Sequence, residues 1–130
     1  MKDETKTWAE YSGENLESAR ILLESRLFNP CLQNVQQCVE KALKALLIEN
    51  SVGVKKTHSI SKLKTALIRN GLDVPISDDD CDFLDSIYIP SKYPVSSILP
   101  YFEPDLEICE YAISIAESVF NWMNDILSLR

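Results

Sequence analysis

Apolar residues recur along this chain at three- and four-residue intervals. Between Cys31 and Leu47 they fall at Leu32, Val35, Val39, Ala42, Leu43 and Leu46, the rhythm of a helix that buries one broad face. Gln36 and Gln37 interrupt the run, and Glu40, Lys41 and Lys44 fall on its other faces. Upstream, Trp8, Ser12, Leu16, Ala19, Leu22, Leu23 and Leu27 share one stripe and predict a first helix from about Thr5 to Leu27, with Gly13 a mild weakness. Phe28-Asn29-Pro30 should break it, because proline fixes φ and disfavours a helical residue before it. Proline suits a first helical turn and Asn29 is a good cap. The second helix is therefore predicted from near Pro30 to about Glu49.

Asn50 to Lys56 reads as a loop. Thr57 or Ser59 can cap a third helix from about His58 to Asn70, with Ile60, Leu63, Ala66 and Leu67 facing inward. Asn70-Gly71 closes it with residues that tolerate the left-handed conformation. After an extended Val74-Pro75-Ile76, Ser77 followed by Asp78-Asp79-Asp80 reads as a cap plus acids at the positive end of a helix dipole. A short fourth helix is expected to about Tyr88, burying Phe83, Leu84 and Ile87. Prolines at 90, 94, 100 and 104 make 89–104 irregular. A last long helix, about Glu103 to Leu127, carries Leu106, Cys109, Ile113, Ala116, Phe120, Met123 and Leu127. No segment alternates like a strand. The pattern predicts an all-α, antiparallel up-and-down bundle of four main helices plus one short helix.

The 130 residues fit one domain spanning 1–130, long enough to bury a core of its own. A composition of 45% hydrophobic and 25% charged residues is ordinary for a globular protein. No apolar run approaches the ~20 residues of a membrane span. The polar start, Met1 to Lys6, is unlike a signal peptide, so the expected compartment is the cytoplasm. Cys31, Cys38, Cys81 and Cys109 are scattered and form no closely spaced metal-ligand pair. Cys31, Cys38 and Cys109 read instead as small buried apolar residues.

The net charge of −7 is unevenly spread: −3 over residues 1–40, +6 over 41–69 and −10 over 70–130. A basic middle between acidic flanks points to local affinity for polyanions, to docking on a complementary partner, or to a solvated lysine face. His58, the only imidazole, follows Lys55-Lys56-Thr57 at a helix start, where backbone N–H groups can receive phosphate. These residues make a candidate nucleotide or RNA site; the structural alternative is a histidine that ties the loop to the bundle through a backbone hydrogen bond. Asp78, Asp79, Asp80 and Asp82 lack Ca²⁺-loop spacing and read as helix capping. Tyr88, Lys92, Tyr93, Tyr101 and Phe102 gather aromatics beside a base, the composition of a stacking site or of a lid over the core. With three glycines, the chain has no P-loop, no G-x-G-x-x-G and no G-x-S-x-G.

Gln36-Gln37-Cys38-Val39-Glu40-Lys41-Ala42-Leu43-Lys44-Ala45-Leu46-Leu47, followed by Thr57-His58-Ser59-Ile60, resembles the signature of small HEPN-domain proteins. Trp8 with Ala19-Arg20-Ile21-Leu22-Leu23 resembles the family's first helix, and Ser91-Lys92-Tyr93-Pro94 its "RYP" segment. The resemblance implies a helical bundle and a homodimer. It also implies a toxin-like or regulatory role beside a minimal nucleotidyltransferase. Many members are metal-independent ribonucleases that use an arginine followed after four to six residues by histidine. The matching positions before His58 are Ser51, Val52 and Gly53, so the resemblance implies no catalytic residue here. Without a guanidinium to hold the phosphate beside the base, cleavage loses a main support. Lys92 stands where the "RYP" arginine would, which removes a bidentate phosphate contact.

The ligand- or phosphate-binding candidates are therefore Lys41, Lys44, Lys55, Lys56, His58, Lys92 and Tyr93, with no metal and no cofactor. Two alternatives are a ribonuclease assembled from His58, Lys41, Lys44 and Lys55 across a dimer, and a nucleotide-binding module using the basic segment and Tyr93.

Overall fold

The computed structural model describes residues 1–53, 56–92 and 103–128, apart from the side chains of 89–92. Its elements are five α-helices: α1 (Asp3–Glu24), α2 (Phe28–Glu49), α3 (Ile60–Arg69), α4 (Asp78–Lys92) and α5 (Leu106–Ser128). Among the described residues there is no strand, so the all-α expectation holds.

Side-chain bonds fix the register of α1 against α2. Thr5 donates to Glu49 (2.9 Å), Ser12 to the Cys38 carbonyl (2.7 Å) and Asn15 to Asn34 (2.9 Å). The first turn of α1 thus meets the last turn of α2, an antiparallel hairpin closed by a three-residue connection. α5 lies antiparallel to α1: Arg20 pairs with Glu117 at 2.8 Å, and a Cβ on Gly13 would stand 3.2 Å from the Phe120 ring. Gly13, a weak helix former, is where that ring closes on the α1 backbone. α2 is the central element, and α1, α3, α4 and α5 all pack on it. Its Leu32, Val35, Val39, Leu43, Leu46 and Leu47 are fully buried. Burying one such side chain contributes about 1.5–3 kcal/mol.

Three helices close in one shared way, and it ends α1 before the expected Leu27. α1 stops at Glu24 because Arg26 adopts φ 58° and lets the Leu27 N–H reach the Leu22 carbonyl, leaving Leu27 half exposed. α2 closes the same way on Ser51 (φ 57°) and α3 on Gly71 (φ 85°). Each is a six-to-one closure around a left-handed residue. Only α3 places there the glycine that makes this conformation easy. Arg26→Gly is accordingly expected to raise stability by about 0.5–1 kcal/mol, read as a higher urea midpoint.

Other boundaries shift too. α2 begins at Phe28 with Leu27 in the cap position, so Asn29 does not cap it. Ser59 and Ser77 do cap, accepting from Lys62 N–H (3.2 Å) and Asp80 N–H (3.1 Å). α4 runs past Pro90 to Lys92, beyond the expected Tyr88, and α3 is the shortest helix at 10 residues. All four cysteines are free and buried, Cys81 included. Burial pushes the Cys38 thiol up to about 11 and that of Cys109 to about 12, so neither is a nucleophilic thiolate at neutral pH. No described helix is long and apolar enough to cross a membrane.

Candidate functional site

Gln36, Glu40 and Lys44 stand four residues apart on α2, so they form one row along the helix. All three are buried, at 2%, 7% and 6% exposure. The helical period placed Glu40 and Lys44 away from the apolar face. In the fold, α1 and the segment before α3 cover that side as well, which corrects the expectation of solvated flanks.

A buried charge must be paired, and the row is. Gln36 Nε2 donates to Glu40 Oε1 at 3.1 Å and to the His58 carbonyl at 3.3 Å. Lys44 Nζ donates to Glu40 Oε2 at 2.9 Å and lies 5.6 Å from the Trp8 ring centre. His58 Nδ1 is 3.2 and 3.1 Å from the two Glu40 oxygens. A carboxylate only accepts, so Nδ1 carries hydrogen and Nε2 is the open ring position. The His58 ring stacks on Tyr88, with centroids 4.7 Å apart and planes 16° apart. Burial pushes the Glu40 carboxyl upward, but the bonds from Lys44 and Gln36, the Lys44 charge and the His58 contact outweigh it and hold the group below the ordinary carboxylate range.

The start of α3 corrects a second expectation. Its N–H groups are not open to phosphate, because Asp85 of α4 already takes them. Asp85 Oδ1 accepts from Ile60 N–H at 2.6 Å, and Oδ2 from Ser61 N–H at 3.3 Å and the Ser59 hydroxyl at 3.2 Å.

Beside the polar row lies an open cleft of about 700 Å³. Trp8 and Ile48 make its apolar wall; Lys2, Lys44, Lys56 and His58 bring positive or protonatable groups, against Glu4. Lys2 is held by the Ile48 carbonyl (2.9 Å) and Ser51 Oγ (2.6 Å). Lys44 is neutralised by Glu40. Lys56 is exposed and forms no ion pair among the described residues.

Of the seven candidates, then, Lys44, Lys56 and His58 come together. Lys41 does not: its Nζ donates to Asn15 at 2.7 Å and lies 5.7 Å from the Tyr11 ring centre, on another flank of α2. Lys55 and Tyr93 lie outside the described residues, as does the side chain of Lys92. Sequence reasoning missed Glu40, Trp8, Lys2 and Asp85. The available signal for Glu40 was its place four residues from both Gln36 and Lys44. At the start of α4 the Asp80 N–H donates to the Ser77 hydroxyl, which is the cap, while the Asp80 carboxylate accepts from the Tyr111 hydroxyl of α5 (2.6 Å) and that of Asp78 pairs with Lys64 of α3 (3.0 Å).

A bundle with this connectivity and a histidine-bearing α2–α3 segment is the class that the HEPN domain describes, and the family's pattern matches residues 5–126. The chain belongs to the HEPN family. It is 28% identical over 141 residues to "Putative toxin MJ1304" of Methanocaldococcus jannaschii, covering 94% of this chain and 87% of that protein. The crystal structure of ST0689, an archaeal HEPN homologue, superposes with a TM-score of 0.72 at 31% identity over 96% of this chain and 98% of that one. TT1696 from Thermus thermophilus gives a TM-score of 0.76 at 25% identity over 95% and 98%. A Thermotoga maritima HEPN domain protein shares the fold at 18% identity, with a TM-score of 0.67 over 94% and 98%.

Proposed function

We propose that this chain is a toxin-like HEPN module that binds a phosphate-bearing ligand, nucleotide or RNA, in the cleft at Lys56 and His58. It acts as a homodimer in the cytoplasm with a nucleotidyltransferase-type partner, and it holds its ligand without cutting it. The observation that carries the reading is the division of labour among the cations of the cleft. Lys2 and Lys44 are bound internally, while Lys56 and the open edge of His58 face the cavity beside an indole wall. The toxin-like role is supported by the Methanocaldococcus jannaschii relative and by family membership.

Calorimetric titration with ATP and GTP at low salt tests it. Heat of binding is expected, and Lys56→Glu should weaken the affinity about tenfold through loss of a charge-assisted contact. No heat at millimolar nucleotide would exclude the reading. Light scattering should give twice the chain mass at micromolar concentration.

One observation favours a second reading, an atypical metal-independent ribonuclease. A carboxylate on Nδ1 with Nε2 open is the arrangement of a general base. Cleavage of RNA in EDTA that disappears in both His58→Ala and Glu40→Gln would establish it in place of the first.

A further inference from the structure

Cys31 and Cys109 hold the same place in two different helices. Each is the fourth residue of its helix and closes the first turn. Cys31 N–H donates to the Leu27 carbonyl (3.0 Å), and Cys109 N–H to the Asp105 carbonyl (3.1 Å). α2 and α5 pack directly on each other. There the two thiols meet, within hydrogen-bond reach of one another and shielded from water. The Cys109 thiol also lies 3.6 Å from the Phe28 carbonyl. Cys38 lies instead against the Ser12 hydroxyl at 3.4 Å, and Cys81 near Lys64 and the acids of α4. Packing asks only for small apolar side chains at positions 31 and 109; two facing sulfurs add a bond that alanine or valine could not make.

We propose that Cys31 and Cys109 form a reversible disulfide, made when the pair meets a low-molecular-weight disulfide oxidant, that staples the first turn of α5 to the first turn of α2. Burial raises both thiols, and the hydrogen bond between them lowers Cys31 while raising Cys109 further. Cys31 is therefore the first to ionise. The closed pair is inert, and reaction begins when a helix start opens, since initial turns have the fewest backbone bonds to break. Cys31 loses its proton to water, and its thiolate attacks one sulfur of glutathione disulfide. That S–S bond breaks and a glutathione thiolate leaves. Cys109, its proton passed to solvent, then displaces the second glutathione from the mixed disulfide. Two cysteines are oxidised, and one glutathione disulfide is reduced to two thiols. The new bond joins positions far apart in the chain, where closing the loop constrains the unfolded state strongly.

Incubation of the wild-type protein in glutathione buffers of falling thiol-to-disulfide ratio, followed by acid quenching and alkylation in urea, tests the pair. The free thiols should fall from four to two, and a non-reducing digest should show the Cys31 and Cys109 peptides joined. The melting temperature should rise by about 10 °C, and dithiothreitol should reverse both changes. Cys38→Ala and Cys81→Ala should keep the paired loss and the rise; Cys31→Ala should show neither. Should Cys31→Ala fail to fold, the wild-type digest decides alone. Four thiols remaining at the most oxidising ratio would overturn the proposal. So would glutathione retained on either cysteine, a bond through Cys38 or Cys81 or between two chains, or a melting temperature that falls on oxidation.

Discussion

Replacing Glu40 with alanine is expected to cost about 3–5 kcal/mol of folding stability, the scale for removing one partner of a buried ion pair. The carboxylate answers Lys44, Gln36 and His58 at once; without it, the Lys44 ammonium is left buried beside Trp8 with its charge uncompensated. Replacing both Glu40 and Lys44 with methionine removes the charges together and should cost far less than the single change, since buried pairs gain little net stability over apolar residues of similar size. Urea denaturation of the three proteins reads the difference directly. A loss under about 1 kcal/mol for Glu40→Ala would mean that the row is solvated and does not organise the site.

The same carboxyl gives the stability a pH dependence of known sign. Its folded-state pKa lies below its ordinary value of 4.5, so between the two the unfolded chain binds more protons. The stabilisation is complete above about pH 4.5 and fades as pH falls through the folded-state value. Glu40→Gln should flatten the denaturation midpoint across that window.

Asp85→Ala is the second large effect, expected at about 2–3 kcal/mol, because a charged acceptor of several bonds is lost and the donors at the start of α3 lose their partner. Ile60 and Ser61 N–H and the Ser59 hydroxyl all point at this one side chain of α4. The cost should be local as well as global. Hydrogen exchange at Ile60 and Ser61 should accelerate more than at the middle of α2, and His58, two residues upstream, should lose its fixed approach to Glu40. Equal acceleration throughout the bundle would show that Asp85 does not act at the helix start.

How far the sequence reveals this molecule depends on the range of each interaction. The apolar periods place all five helices because burial of a face is a local property of spacing. Helix ends were less legible: Arg26 and Ser51 take left-handed conformations that their residue types do not announce, whereas Asn70-Gly71 does. The site was legible in His58 and Lys56 and hidden in its supports. Glu40 lies 18 residues from His58 and Asp85 25 from Ile60, distances over which no local pattern operates. Lys44 shows the converse error, since a solvated cation on a helical wheel becomes a buried one once α1 lays Trp8 against it. At the start of α4 the Ser77 cap is legible because capping is settled within one turn, whereas the partners of the Asp78 and Asp80 carboxylates, Lys64 and Tyr111, lie on other helices.

The most direct test of the account is a titration of a labelled single-stranded RNA at low salt in EDTA, with the recovered strand run on a denaturing gel. The account predicts saturable, salt-sensitive binding that Lys56→Glu weakens about tenfold, and a strand recovered at full length. No binding at millimolar strand, or a strand shortened by the wild type and spared by His58→Ala, would contradict it.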